Sequence, residues 1–296
     1  MSMSPYIQSL RLRTLPLSMS GIVLGTGLAG WGNWLVFILA ILTTLSLQIL
    51  SNLCNELGDA LKGTDADQRN REAYGLQAGT ITIGQMRHMI ELFIALSIVF
   101  GSALVFTAFG FPITNHQSPI TNNPSPIINV LIFLGLGALA ILGAIKYTLG
   151  KHSYGYYGLG DLGVFLFFGL LSTLGAYYLQ CQTLSHEVLC CGIAIGLPCV
   201  GVLNVNNMRD MANDRKHGKH TFASLLGQKS ARFYHTVLLI ACLSLFVVFG
   251  HYWVLCITPL WAWHLWFIWT QDESRFDRQM PVLMFSTLVI SALGWL

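Results

Sequence analysis

Two short stretches carry acids and amides at the spacing of one helix face. In NELGDALKGTD, Asn55 and Asp59 stand four residues apart; in NVNNMRDMANDRKHGKHT, Asn206, Asp210 and Asp214 stand at i, i+4 and i+8. At about 100° per residue, three side chains so spaced stay within roughly 80° of one another and form one polar stripe. Carboxylate and amide oxygens are the ligands that hard Mg²⁺ accepts, usually one or two carboxylates per ion with water and phosphate oxygens completing the octahedron. Two such stripes facing each other could hold ions around a diphosphate. Gly63 is expected to end the first helix, which puts Asp65 on the loop beyond it.

Basic residues flank both stripes. Lys62, Arg69, Arg71, Lys146, Lys151, Lys216 and Lys219 could neutralise a leaving diphosphate. Tyr147 opens the aromatic run YTLGKHSYGYYGLGDLGVFLFFG, and ring faces of that kind can stabilise a carbocation. Blander readings stand beside these. Polar residues at the end of a membrane helix are often interfacial, here paired with Arg209 or Arg215, and acids within membrane helices can mark an ion pathway. The histidines lack the spacing and acidic company of a zinc site, and the seven cysteines lack paired metal spacing and sit mostly in apolar runs.

The elements that must position these groups are membrane helices. With 54% of 296 residues hydrophobic and only 10% charged, the chain has too little polar surface to cover a soluble globule. Apolar runs near the length needed to cross a bilayer recur at 15–31, 34–54, 88–111, 127–145, 159–179, 188–206, 233–250, 252–270 and 281–296. With these runs as spans, all 16 lysines and arginines fall in alternate segments, and the intervening loops carry none. By the positive-inside rule the N-terminus and the basic loops are cytoplasmic and the C-terminus lies outside. The expectation is an all-α, multi-pass protein of the cytoplasmic (inner) membrane, with nine transmembrane helices bundled around a central cavity open to the cytoplasmic side. Residues 1–296 read as a single domain. The net charge of +3, shared with acids in the same loops, points to a membrane face and not to nucleic acid. Nothing in the sequence calls for a protein partner beyond the lipid bilayer.

Taken together, these segments resemble the UbiA-type intramembrane aromatic prenyltransferases, and within them the branch acting on 1,4-dihydroxy-2-naphthoate in menaquinone biosynthesis. The resemblance spans nearly the whole chain. It rests on NELGDALKGTD and NNMRDMANDRKHGKHTFASLLG, with support from RLRTLPL at Arg11 to Leu17, YGLQAGTIT at Tyr74 to Thr82, and YGYYGLGDLGVFLFFG. Glu56 stands where the family pattern has Asp, Leu12 replaces a common Pro, Asp161 replaces a common Glu, and RNREAYG lacks a common Gly-Pro.

The resemblance implies that Asn55, Asp59, Asn206, Asp210 and Asp214 bind Mg²⁺ and a polyprenyl diphosphate, with Asp65 a further candidate. Asp59, Asp65, Asp210 and Asp214 are then the catalytic acids, Asp65 assisting proton loss from the acceptor hydroxyl. Arg69, Arg71, Lys146, Lys151, Lys219 and Tyr147 are the further substrate-binding candidates. The implied reaction is prenyl transfer to the naphthoate ring with loss of carbon dioxide, giving a demethylmenaquinol. A different aromatic acceptor, 4-hydroxybenzoate or homogentisate, and a cation-coupled transporter stay open as alternatives.

Overall fold

The computed structural model describes residues 5–63, 75–110 and 126–296. Among them the regular structure is helical, apart from one isolated β-bridge between Tyr157 and His220. Long helices follow the apolar runs: Leu15–Leu28, Trp34–Lys62, Ile83–Phe109, Pro126–Lys146, Gly160–Val164 continuing through Phe165–Leu171 into Ser172–Cys181, His186–Lys216, Gln228–Val248, Thr258–Thr270 and Gln279–Leu293. Among the described residues, six segments are long and apolar enough to cross a membrane. Leu15–Leu28, Thr258–Thr270 and Gln279–Leu293 hold 14, 13 and 15 residues, fewer than the roughly 20 that a straight crossing needs.

The two helices that carry the stripes are long. Trp34–Lys62 has 29 residues and His186–Lys216 has 31, or roughly 44 and 46 Å against a hydrocarbon core of about 30 Å. Each starts at a capped end: Asn33 Oδ1 accepts from the Leu35 and Val36 amides, and Ser185 Oγ accepts from Val188 N. Each then runs past the end of its apolar stretch, so the acids sit on helix that overshoots the apolar layer. Gly63, in the left-handed region at φ 71°, terminates the first.

The His186–Lys216 helix is the axis of the molecule. Its most apolar window is 72% buried inside the protein, against 11% for Ile127–Lys146, whose Leu131 and Ile132 face outward. A close backbone approach seats it: a Cβ at Gly169 would lie 2.6 Å from Gly196 Cα and 3.0 Å from the Gly192 carbonyl, so only glycine fits there. Gly169 falls in the wider π-helical turn Phe165–Leu171, a local departure from α geometry that the sequence did not announce. Around this contact a core including Ile195, Cys199, Val205, Leu239, Phe246, Trp261 and Leu283 fixes the C-terminal half of the fold. Leu50, Leu53, Leu57, Met86 and Ile90 bind the Trp34–Lys62 and Ile83–Phe109 helices together.

Candidate active site

Both stripes open on one cavity of about 1040 Å³, at the upper end of the sizes typical of small-molecule sites. Asn55 and Asp59 from one helix and Asn206, Asp210 and Asp214 from the other line it, together with Tyr147 and Lys219. The wall continues through Leu47, Thr43 and Ala40 on the first helix and through Phe167, Leu171 and Leu179. From Asp59 back to Ala40 the helix rises about 28 Å, so the cavity runs a length close to that of the hydrocarbon core, with Asn52, Ser51 and Gln48 next to the acids and mainly apolar side chains of the neighbouring helices farther along.

Asp59 Oδ1 accepts from the Tyr156 hydroxyl at 2.7 Å, and Asn55 Oδ1 accepts from the Thr148 hydroxyl. Lys62 Nζ donates to the Thr148 carbonyl at 2.7 Å and to Ser153 Oγ, and lies 3.6 Å from the centre of the Tyr156 ring. The 148–156 segment therefore forms a polar collar that aims both members of the first stripe. His220 N donates to the Tyr156 carbonyl at 3.1 Å, and this backbone link docks the loop after the second helix onto the collar.

That docking brings Lys219 between the stripes. Its Nζ lies 3.6 Å from Asp214 Oδ1 and 5.5 Å from the Tyr156 ring centre. Burial would lower its pKa, but the nearby charges of Asp59 and Asp214, with Tyr156 and Asp210, outweigh burial and raise it above the usual lysine value. Lys219 is a fixed cation facing both acid clusters. Asp214 is 2% exposed, and its Oδ2 has no hydrogen-bond partner. Asp210 is gripped by Arg209, whose Nε and Nη2 donate to its carboxylate at 2.9 and 2.8 Å.

Burial pushes the Tyr154 phenol up to about 12, and burial followed by the charges of Tyr154, Asp161, Asp59 and Asp214 raises Tyr147 as well. Both stay protonated and present neutral rings, packed edge to face with centroids 5.3 Å apart.

The other sequence candidates are placed differently. Lys146 and Lys151 are exposed and are not part of the cavity wall. Asp65, Arg69 and Arg71 lie outside the described residues. Glu56, at the position where the family pattern has Asp, is fully buried away from the cavity wall: its Oε1 accepts from Leu76 N at 2.9 Å and Ser9 Oγ at 3.2 Å. It ties the N-terminal segment and the 75–82 turn to the helix. Thr148 and Asp277 also line the cavity and carried no signal in the sequence. Arg11, Arg13, Gln48, Asn52 and Gln77 line it too; the i, i+4 pair Gln48 and Asn52 inside an apolar run was the available clue.

Among the described residues no three His, Cys, Asp or Glu side chains form a group arranged to hold a metal by themselves. The donor set nonetheless fits Mg²⁺, which is typically held by one or two carboxylates with substrate phosphates and water. The buried, unpartnered Asp214 Oδ2 is an acceptor facing that role.

Comparison with known proteins decides the family. The model of the UbiA prenyltransferase family matches residues 124–289. The chain is 40% identical over 264 residues to the 1,4-dihydroxy-2-naphthoate octaprenyltransferase of Escherichia coli, covering 87% of this chain and 79% of that one. The chain belongs to the UbiA prenyltransferase family. A Haemophilus influenzae protein of the same name is 34% identical, with 98% of this chain and 94% of that protein aligned. The fold agrees with UbiA homologues of known structure. One from Aeropyrum pernix superposes with a TM-score of 0.62 at 16% identity, covering 97% of this chain and 96% of that one. One from Archaeoglobus fulgidus bound to DMAPP and Mg²⁺ superposes with a TM-score of 0.58 at 14% identity, covering 97% and 86%. With six helices fit to cross a bilayer and this family membership, the chain is a membrane protein.

Proposed function

We propose that this chain transfers a polyprenyl group from a polyprenyl diphosphate to 1,4-dihydroxy-2-naphthoate, with loss of carbon dioxide, to give a demethylmenaquinol. The observation that carries the reading is that both acid-amide stripes and the Lys219 cation line one elongated cavity whose wall, beyond Gln48, is mainly apolar. The names of the Escherichia coli and Haemophilus influenzae relatives support the naphthoate as acceptor. Their family of transferases argues against the transporter reading.

Asn55, Asp59, Asn206, Asp210 and Asp214 would hold Mg²⁺, which when bound acts as a Lewis acid on the departing diphosphate. Lys219 adds fixed positive charge where negative charge accumulates on the leaving oxygen. Tyr156 and Thr148 hold Asp59 and Asn55 in place. The apolar helices seat the prenyl tail and exclude water that would capture the allylic carbon. The C–O bond breaks with its electron pair leaving on diphosphate, and a ring electron pair of the naphthoate forms the new C–C bond. If attack comes from the carbon bearing the carboxylate, loss of carbon dioxide returns that bond's pair to the ring. Asp65 is the proposed assistant for hydroxyl deprotonation, and Arg69, Arg71, Lys146 and Lys151 are proposed to attract the anionic substrates.

The chain is read as one unit of residues 1–296 crossing the cytoplasmic membrane nine times, with the N-terminus and the cavity mouth inside and the C-terminus outside. The alternation of all 16 lysines and arginines supports this topology. The test is to incubate membranes containing the protein with Mg²⁺, a prenyl diphosphate and separate aromatic acids. Prenylated naphthoate product with released carbon dioxide is expected; a product from 4-hydroxybenzoate or homogentisate alone would replace the acceptor, and no prenylated product from any acid would overturn the reading.

A further inference from the structure

The oxygens of the second stripe already hold a cation, and it comes from the protein. The Arg209 guanidinium donates from Nε and Nη2 to Asp210, from Nη2 to Asn206 Oδ1 at 2.6 Å, and from Nη1 to Asp277. Its side chain is 8% exposed and that of Asp210 is 11% exposed, so the pair is largely withdrawn from water. Asp277 is 41% exposed and reaches the same guanidinium from the segment just before the Gln279–Leu293 helix. Arginine cannot shed its charge, and its planar fork takes up carboxylate faces that a metal ion would need.

We propose that Arg209 is an internal counter-ion standing in for a divalent cation at Asn206 and Asp210, and that Asp277 is the positioning residue that keeps it when metal and diphosphate arrive together. The inference rests on the metal-binding reading of the stripes. Acids as buried as Asp210 and Asp214 are costly to leave without positive charge, and Arg209 supplies that charge at Asp210 as Lys219 does at Asp214. A divalent ion alone must displace the guanidinium from Asp210. A diphosphate brings negative charge that attracts both the ion and the released guanidinium, so the two ligands favour each other's binding. Asp277, anchored on the opposite side of Arg209, keeps the guanidinium within the cavity wall during the exchange.

The experiment measures protein-retained Mn²⁺ by equilibrium dialysis of the detergent-purified protein, with and without inorganic pyrophosphate. For the unmodified protein, retention is expected to be weak with Mn²⁺ alone and strong with pyrophosphate. Arg209→Gln releases the Asp210 carboxylate from the guanidinium and should tighten Mn²⁺ binding without pyrophosphate by about tenfold, the loss of a charge-assisted bidentate competitor. Asp277→Asn leaves the guanidinium with Asp210 as its main anion and should weaken Mn²⁺ binding, in the opposite direction. A merely structural bridge would shift both variants the same way.

Unchanged or weaker Mn²⁺ binding in Arg209→Gln overturns the counter-ion assignment while leaving the metal site standing. Should that variant not fold, Asp277→Asn decides: weaker binding supports the assignment and unchanged or tighter binding overturns it. Absence of Mn²⁺ retention by the unmodified protein even with pyrophosphate overturns the metal reading and this inference with it.

Discussion

Replacing Lys219 by methionine keeps most of the stem and removes the charge between the stripes. At the observed 3.6 Å from Asp214, with the effective dielectric of about 20 that suits protein sites, the pair's attraction is roughly 4 to 5 kcal/mol before desolvation is subtracted. Breaking a buried pair by removing one partner typically costs about 3 to 5 kcal/mol, because the other charge is left uncompensated. Asp214, 2% exposed, is such a partner. Lys219→Met should therefore lower the thermal midpoint of the detergent-purified protein. Mg²⁺ with pyrophosphate should raise this midpoint by less than it raises that of the unmodified protein, since the diphosphate has lost one of its cations. In turnover, the absent cation should cost about 10²- to 10³-fold in kcat, the range for one removed group that stabilises developing negative charge. A variant that is folded and turns over within about threefold of the unmodified protein would refute the placing of Lys219 at the leaving group. The pH dependence has a definite sign. The folded pKa of Lys219 is raised, so its contribution to stability is complete below the unfolded lysine pKa of about 10.4 and is lost only as pH rises through the higher folded value.

Asp59→Ala and Asp210→Ala should each abolish turnover while the protein still inserts in membranes, and chelation followed by added Mg²⁺ should stop and restore activity; turnover persisting in excess chelator would remove the metal from the reaction. Glu56→Gln keeps the oxygen that accepts from Leu76 N and Ser9 Oγ and should retain turnover within about threefold, in contrast to Asp59→Asn; an equal loss in both would return Glu56 to the site. Gly169→Ala drives a methyl to 2.6 Å from Gly196 Cα, so the two helices must separate, and a lowered thermal midpoint with weakened diphosphate binding is expected; an unchanged midpoint would show the contact yields freely.

Much of the site was legible because its signal is local. The i, i+4, i+8 spacing of Asn206, Asp210 and Asp214 holds on any α-helix, and Gly63 ends the first helix as its residue type dictates. The apolar runs marked where helices lie, yet they stopped at residues 54 and 206, where the hydropathy falls. The helices continue to Lys62 and Lys216, because backbone hydrogen bonding does not depend on the apolar character of the side chains.

By itself the sequence determined that this is a helical membrane chain with two oxygen-rich helix faces, since periodicity and composition are properties of neighbours along the chain. Only the tertiary structure decided which groups meet. The Tyr157–His220 bridge carries Lys219 across to Asp59, the collar at Thr148 and Tyr156 aims the first stripe, and Asp277 reaches Arg209 from 68 residues away. Glu56 and Asp59 lie three residues apart on one helix, but one is buried against Leu76 and the other faces the cavity. Their fates differ because the direction a side chain takes has meaning only once another segment has packed against it, and no spacing within a single segment encodes that partner.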